Sequence, residues 1–174
     1  LVLSGLVANY GVMPFPTAVF IIMILLGSAI KIIPYLIAVW LTPKLKGNPF
    51  ALFVFPCALV ATEYFESFGG GGTWGSIAYS QFENKALLQV ISLGGIWIIT
   101  FMIGWFASLL NFVLENHFEW KSIRLYAMPF AIVLVMAFAY GHNRLNLAIR
   151  DENKTERIAG ITGNNVELMK ELYT

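Results

Sequence analysis

From Ala86 to Leu114 the chain runs 29 residues without one charged side chain. At about 1.5 Å per residue, a helix of that length outruns a hydrocarbon core of about 30 Å. The segment therefore either tilts or leaves its first turns, around Gln89, in the interface. Three more runs share its character. Thr17–Leu41 holds 25 residues with a single charge, Lys31. Pro49–Phe65 has 17 residues, carries Pro56 and stays uncharged until Glu63; it sits at the lower limit of about 17 for a span. Ile123–Tyr140 begins beside Arg124, contains Pro129 and leads into the polar Gly141-His142-Asn143-Arg144. Lipid offers no partner to a bare backbone group, and no even series of short alternating strands is present to close a barrel, so each run is expected to be a helix. Leu1–Val7 is apolar but too short to span.

Composition agrees with that reading. The chain is 58% hydrophobic and 12% charged, with a mean hydropathy of +0.72, against about 25% charged in ordinary soluble domains. A net charge of +1 gathers no nucleic acid, and no basic run alternates with aromatics along a phosphate track. The single Cys57 excludes an internal disulfide and a cysteine-built metal site, while His117 and His142 have no helical pairing. No metal and no cofactor are expected.

The character changes after residue 143. Residues 144–174 hold ten charged side chains. Arg157–Thr162 reads as a strand followed by a turn, and "VELMKELY" places Val166, Met169, Leu172 and Tyr173 on one helical face behind Asn164 or Asn165 as cap. The expected fold is thus an all-α transmembrane bundle over residues 1–143, with spans near 17–41, 49–65, 86–114 and 123–140. Residues 144–174 form a linker and the truncated start of an α/β domain, too short alone to bury a core. Four spans place the 66–85 loop and the polar tail on one side. Lys44, Lys46, Lys121 and Arg124 vote for the other side as cytoplasmic, but Lys85, Arg144, Arg150, Lys154 and Arg157 nearly balance them.

Several side chains invite chemistry. Cys57 lies in an apolar run with no acid, base or cation within a turn to activate a thiol, which fits a structural residue. Lys31 costs about 2.5–3.5 kcal/mol in mid-span, so it is expected to pair with an acid, snorkel past Pro34, or meet a lipid headgroup. Glu63 and Glu66 share a helical face, the spacing of an acid/base pair, yet at a membrane edge solvation or pairing with Lys85 is the ordinary outcome. Gly104 and Ser108 form a small-xxx-small pair for close helix packing. Trp40, Tyr64, Trp120 and Tyr126 fall near span ends, where amphipathic rings settle.

The loop "GGGGTWGSIAYSQFENKALLQ" between the second and third spans stands apart. Gly69–Gly72 open backbone angles closed to other residues and let the segment fold back over the membrane surface. Trp74 and Tyr79 then rest at headgroup level, while Gln81 and Gln89 offer amide donors to phosphate or ester oxygens. Together with Glu63 these are the candidate residues of a substrate cleft.

The block Thr62–Leu114 resembles the membrane region of bacterial apolipoprotein N-acyltransferases. The likeness is carried by Glu63-Tyr64, Trp74, Tyr79-Ser80-Gln81, Gln89, Gly95 and Asn111; upstream "GVMPFPTAVFIIMILL" is similar to the entry of an earlier helix. "RIAGITGNN" resembles the first strand of that family's carbon–nitrogen hydrolase (nitrilase-like) domain, with Thr162-Gly163 where the family has Gln-Gly. The resemblance implies a two-step acyl transfer. A cysteine thiolate takes a fatty acyl chain from a phospholipid donor, then passes it to the amine of a diacylglyceryl lipoprotein acceptor, with a Glu as base and a Lys steadying the oxyanion. It implies a multi-pass protein of the bacterial cytoplasmic (inner) membrane with an extracytoplasmic C-terminal domain. None of the three catalytic residues is expected within this chain, which alone should be inactive. A membrane-anchored nitrilase-like amidase and a non-enzymatic membrane scaffold are the alternatives.

Overall fold

The computed structural model of the chain describes residues 2–9, 17–45, 47–69, 71–118 and 120–150. Among the described residues seven α-helices follow in order: α1 (Val2–Asn9), α2 (Thr17–Leu41), α3 (Val54–Glu66), α4 (Lys85–Leu88), α5 (Ile91–Gly94), α6 (Trp97–Glu115) and α7 (Trp120–Arg150). Short 3-10 turns occupy Thr42–Leu45, Pro49–Phe53 and Ile77–Gln81, and no strand occurs among the described residues. Four stretches among the described residues are long and apolar enough to cross a membrane: Thr17–Leu45, Pro49–Glu66, Trp97–Glu115 and Ile123–Leu147. The expected strand at Arg157–Thr162 lies outside the described residues.

Small residues and aromatics make the bundle. A side chain on Gly104 of α6 would come within 2.9 Å of the Pro56 backbone on α3, so these two helices cross at near-backbone contact, as the small-residue pair predicts. α2 packs along α3, with the Tyr35 and Phe55 rings 5.1 Å apart. Trp105 sits between Phe53, at 5.0 Å, and Phe130 of α7, at 5.3 Å, and with Leu109 forms one buried cluster. A second cluster of Leu87, Val90, Met102 and Ala137 ties α4 to α6 and α7. Large apolar side chains on the outer faces of α2 and α7 stay exposed, which is the natural state of a surface solvated by lipid.

Two expected boundaries are corrected. The apolar run 86–114 is not one helix, for it splits into α4, α5 and α6. Gly95 takes φ +73 and ψ −172, a conformation open to glycine alone, and the Asn84 side chain caps α4 by accepting from the Leu87 N–H at 3.1 Å. An uncharged run carries no trace of such a break, because hydropathy does not register backbone direction. The fourth span does not end at Gly141-His142-Asn143-Arg144. α7 continues through it to Arg150, since Gly141 stays helical and packs so closely on α4 that a side chain there would run into the Ala86 carbonyl.

The two ends of the bundle differ. At one end the chain reverses through Thr42–Leu45, with Asn48 capping the next turn by accepting from Phe50 N–H at 3.0 Å, and through Asn116–Phe118, where His117 and Phe118 take positive φ. At the other end, residues 67–96 build a layer of short elements that meets the C-terminal half of α7. The glycine-rich loop and the outgoing end of α7 therefore share one end of the bundle.

Candidate functional site

The layer at that end is organised around Glu63, on the last turn of α3. Its carboxylate accepts three hydrogen bonds: from Ser76 Oγ at 2.7 Å, from the Ile77 N–H at 2.9 Å and from Thr100 Oγ1 at 2.8 Å. Three donors and no acceptor converge on two oxygens, the pattern a carboxylate satisfies. The Ser76 and Thr100 hydroxyls stand 3.3 Å apart because they share the same acceptor oxygen. Thr100 is fully buried on α6, at 0% exposure, so the bonds join α3, α6 and the loop at one point. Each is charge-assisted and worth about 1.5–3 kcal/mol.

Ser76 also receives the Ala78 N–H at 3.3 Å, capping the turn Ile77–Gln81. Glu63 thus fixes where that turn begins. The backbone reaches this position through Gly72 at φ +55 and Gly75 at φ +87, the left-handed region that glycine enters without strain.

Above this anchor lies an open depression of about 530 Å³, lined by Gly71, Thr73, Trp74, Gly75, Ser76 and Tyr79. Trp74 is 78% exposed and Tyr79 51% exposed. The Tyr79 hydroxyl meets Thr73 Oγ1 at 2.8 Å, which sets the ring across the depression from the loop backbone. The surface is apolar and aromatic with hydroxyls at its edge, suited to an amphiphile whose tail lies on rings and whose polar part meets oxygens.

The structure places the sequence candidates unequally. Trp74 and Tyr79 line the depression. Glu63 supports it from beneath through Ser76 rather than facing it. Gln81 follows on the same 3-10 turn, its amide on Ser80 Oγ at 3.2 Å, and is not among the lining residues. Gln89 ends α4 with its amide 3.4 Å from the Lys85 carbonyl, also away from the lining. Glu66 makes no hydrogen bond to Glu63, whose carboxylate is taken up by Ser76, Ile77 and Thr100.

Lys31 comes to the level of the loop. Its Nζ lies beside Gly75, 3.4 Å from where a side chain on that residue would begin, and its charge acts on Glu66. It has no hydrogen bond or ion pair among the described residues. Cys57 is free and exposed on α3. Among the described residues no group of His, Cys, Asp or Glu gathers to hold a metal ion.

Sequence reasoning missed Thr100 and Ser76. A threonine within an apolar run was the available signal, because a hydroxyl in lipid seeks a partner. The partner itself, 37 positions away in sequence, was not legible. Arg144 was read only as a charge near the membrane, yet its Nη1 donates to Ser92 Oγ at 2.8 Å and to the Tyr140 hydroxyl at 3.0 Å.

Residues 3–109 match the family model described as the apolipoprotein N-acyltransferase N-terminal domain. A curated protein named apolipoprotein N-acyltransferase, from Geobacter metallireducens (strain ATCC 53774 / DSM 7210 / GS-15), is 24% identical over 163 residues. The alignment covers 91% of this chain and 30% of that protein, so the chain spans under a third of the relative's length. No solved structure matches.

Proposed function

The chain belongs to the apolipoprotein N-acyltransferase family, and from that premise we propose that it is the membrane module on which the acyl transfer takes place. In this reading a phospholipid acyl donor and a diacylglyceryl lipoprotein acceptor approach within the membrane and come to rest on the loop 71–81. A catalytic domain carried by the polypeptide beyond α7 stands over them. A thiolate there attacks the donor ester carbonyl, the thioester forms and the lysolipid leaves with a proton. The acceptor amine then attacks the thioester, losing a proton to a base as the thiolate departs. The module's share is positioning: Trp74 and Tyr79 hold the amphiphiles at a fixed depth, and Glu63 holds the loop. An inner-membrane setting with the loop end facing away from the cytoplasm belongs to the same proposal.

The observation that supports this most is that the anchored loop and the outgoing end of α7 lie at one end of the bundle, with Arg144 bonded to Ser92. α7 thus runs toward the end of the bundle that carries the depression, packing on α4. Converting Trp74→Ala in the full-length protein tests the reading. Acylation of a diacylglyceryl lipopeptide should fall about tenfold with membrane insertion intact, the scale of losing an aromatic contact worth about 1–2 kcal/mol. Unchanged turnover would reject it.

A further inference from the structure

The cluster of Arg144, Tyr140 and Ser92 has a feature that the acyl-transfer reading does not use. Ser92 Oγ donates to the Gln89 carbonyl at 2.7 Å, which spends its one proton. The Tyr140 hydroxyl, 2.9 Å from Ser92 Oγ, then donates to that oxygen. Both oxygens are left as acceptors, and both accept from the same nitrogen, Arg144 Nη1. The guanidinium plane is therefore held from one corner. Its other edge, formed by Nε and Nη2, makes no hydrogen bond among the described residues, and no carboxylate there lies within ion-pair distance of it. That edge is the fork that matches two oxygens of a phosphate or carboxylate.

The surroundings decide between these anions. Arg144 is exposed and lies near the C-terminal end of the apolar stretch Ile123–Leu147 of α7. One turn further along α7, Leu147 is 58% exposed, and Leu93, next to Ser92 on α5, is 63% exposed. A preset cationic fork bordered by bare aliphatic side chains, at the end of a membrane helix, meets the level where lipid phosphates sit. We propose that the free edge of Arg144 binds the phosphodiester of a membrane phospholipid, with Tyr140 and Ser92 as the residues that orient it. The bound lipid pins α5 to α7 at the headgroup plane. Nothing in this depends on the acyl-transfer chemistry, because binding alone is read.

Native mass spectrometry of the full-length protein in detergent, titrated separately with phosphatidylglycerol and with diacylglycerol, tests the site. Arg144→Gln should lower phosphatidylglycerol retention about tenfold, the equivalent of one charge-assisted contact. Diacylglycerol, lacking the phosphate, should be retained weakly by both forms, and excess inorganic phosphate should not displace the phospholipid. Tyr140→Phe keeps the charge but frees one corner, and should lower retention about threefold. That variant decides the matter should Arg144→Gln fail to fold. Equal retention by the wild type and both variants overturns the proposal. So does retention of diacylglycerol as strong as that of phosphatidylglycerol, and so does displacement by inorganic phosphate, which would mark a free-anion site.

Discussion

The two ends of this bundle are built from the same apolar helices and closed by different means. At the end holding Thr42–Leu45, Asn48 and Asn116–Phe118, backbone turns and two caps, from the Asn48 and Asn116 side chains, suffice, and Lys44 covers the Trp40 ring at 3.4 Å. At the end holding residues 67–96, the connection is long and is tied down by side chains. Asn111 to Glu115 apart, the side chain-to-side chain hydrogen bonds among the described residues all belong to this end. A long connection loses more entropy on ordering. Here that loss is offset by polar bonds, and those of Glu63 to Ser76 and Thr100 are partly buried, where an unmade bond is most costly. The difference marks the loop end as built to hold a shape.

Removing the anchor should produce the largest change. Glu63→Leu leaves the buried Ser76 Oγ and Thr100 Oγ1 with only each other, at 3.3 Å, and takes the acceptor from the exposed Ile77 N–H; a buried hydroxyl donor left unpaired costs about 1–3 kcal/mol. Thermal unfolding of the full-length protein in detergent should show a loss of several kcal/mol, with Trp74 emission shifted toward that of a free loop.

Gly141→Ala comes next. The added methyl overlaps the Ala86 carbonyl, and overpacking of this kind costs about 1–3 kcal/mol. Cysteine crosslinking between α4 and α7 should fall in this variant while crosslinking between α3 and α6 persists. Gly104→Ala, at the α3–α6 crossing, should cost a similar amount, but through Pro56 and therefore without preference for either end. Both crosslinks should weaken together, which makes it the control for the comparison. Asn48→Ala, at the plain end, should cost only about 0.5–1 kcal/mol through the lost cap and leave lipopeptide acylation unchanged. A large activity loss there would show that the ends are not functionally distinct.

The helical spans were legible because lipid enforces them: 25 uncharged or nearly uncharged residues in α2 leave one option, and its bounds match the expected 17–41. The Gly104 contact was legible from spacing alone. The break at Gly95 was not, because a glycine in an apolar run can serve packing or a turn, and only the surrounding tertiary structure selects between them. The continuation of α7 through Gly141-His142-Asn143-Arg144 was hidden for a related reason, since polar residues end a span without ending a helix. Of the site, the aromatic pair Trp74 and Tyr79 could be named from loop composition. Glu63, a cleft candidate by its place at the end of a span, spends its carboxylate on Ser76, Ile77 and Thr100. A carboxylate's sequence position gives no direction to its side chain.

The grip of Glu63 on the loop is what makes the loop end a platform, and the Ile77 amide reports on it directly. Hydrogen–deuterium exchange of the full-length protein should show the Ile77–Ala78 amides protected in the wild type. In Glu63→Gln, where one acceptor oxygen is replaced by an amide donor, they should exchange about tenfold faster or more, as loss of one charge-assisted bond implies. Exchange at the same rate in both proteins would show that the loop holds its place without the carboxylate, and the anchored platform would be refuted.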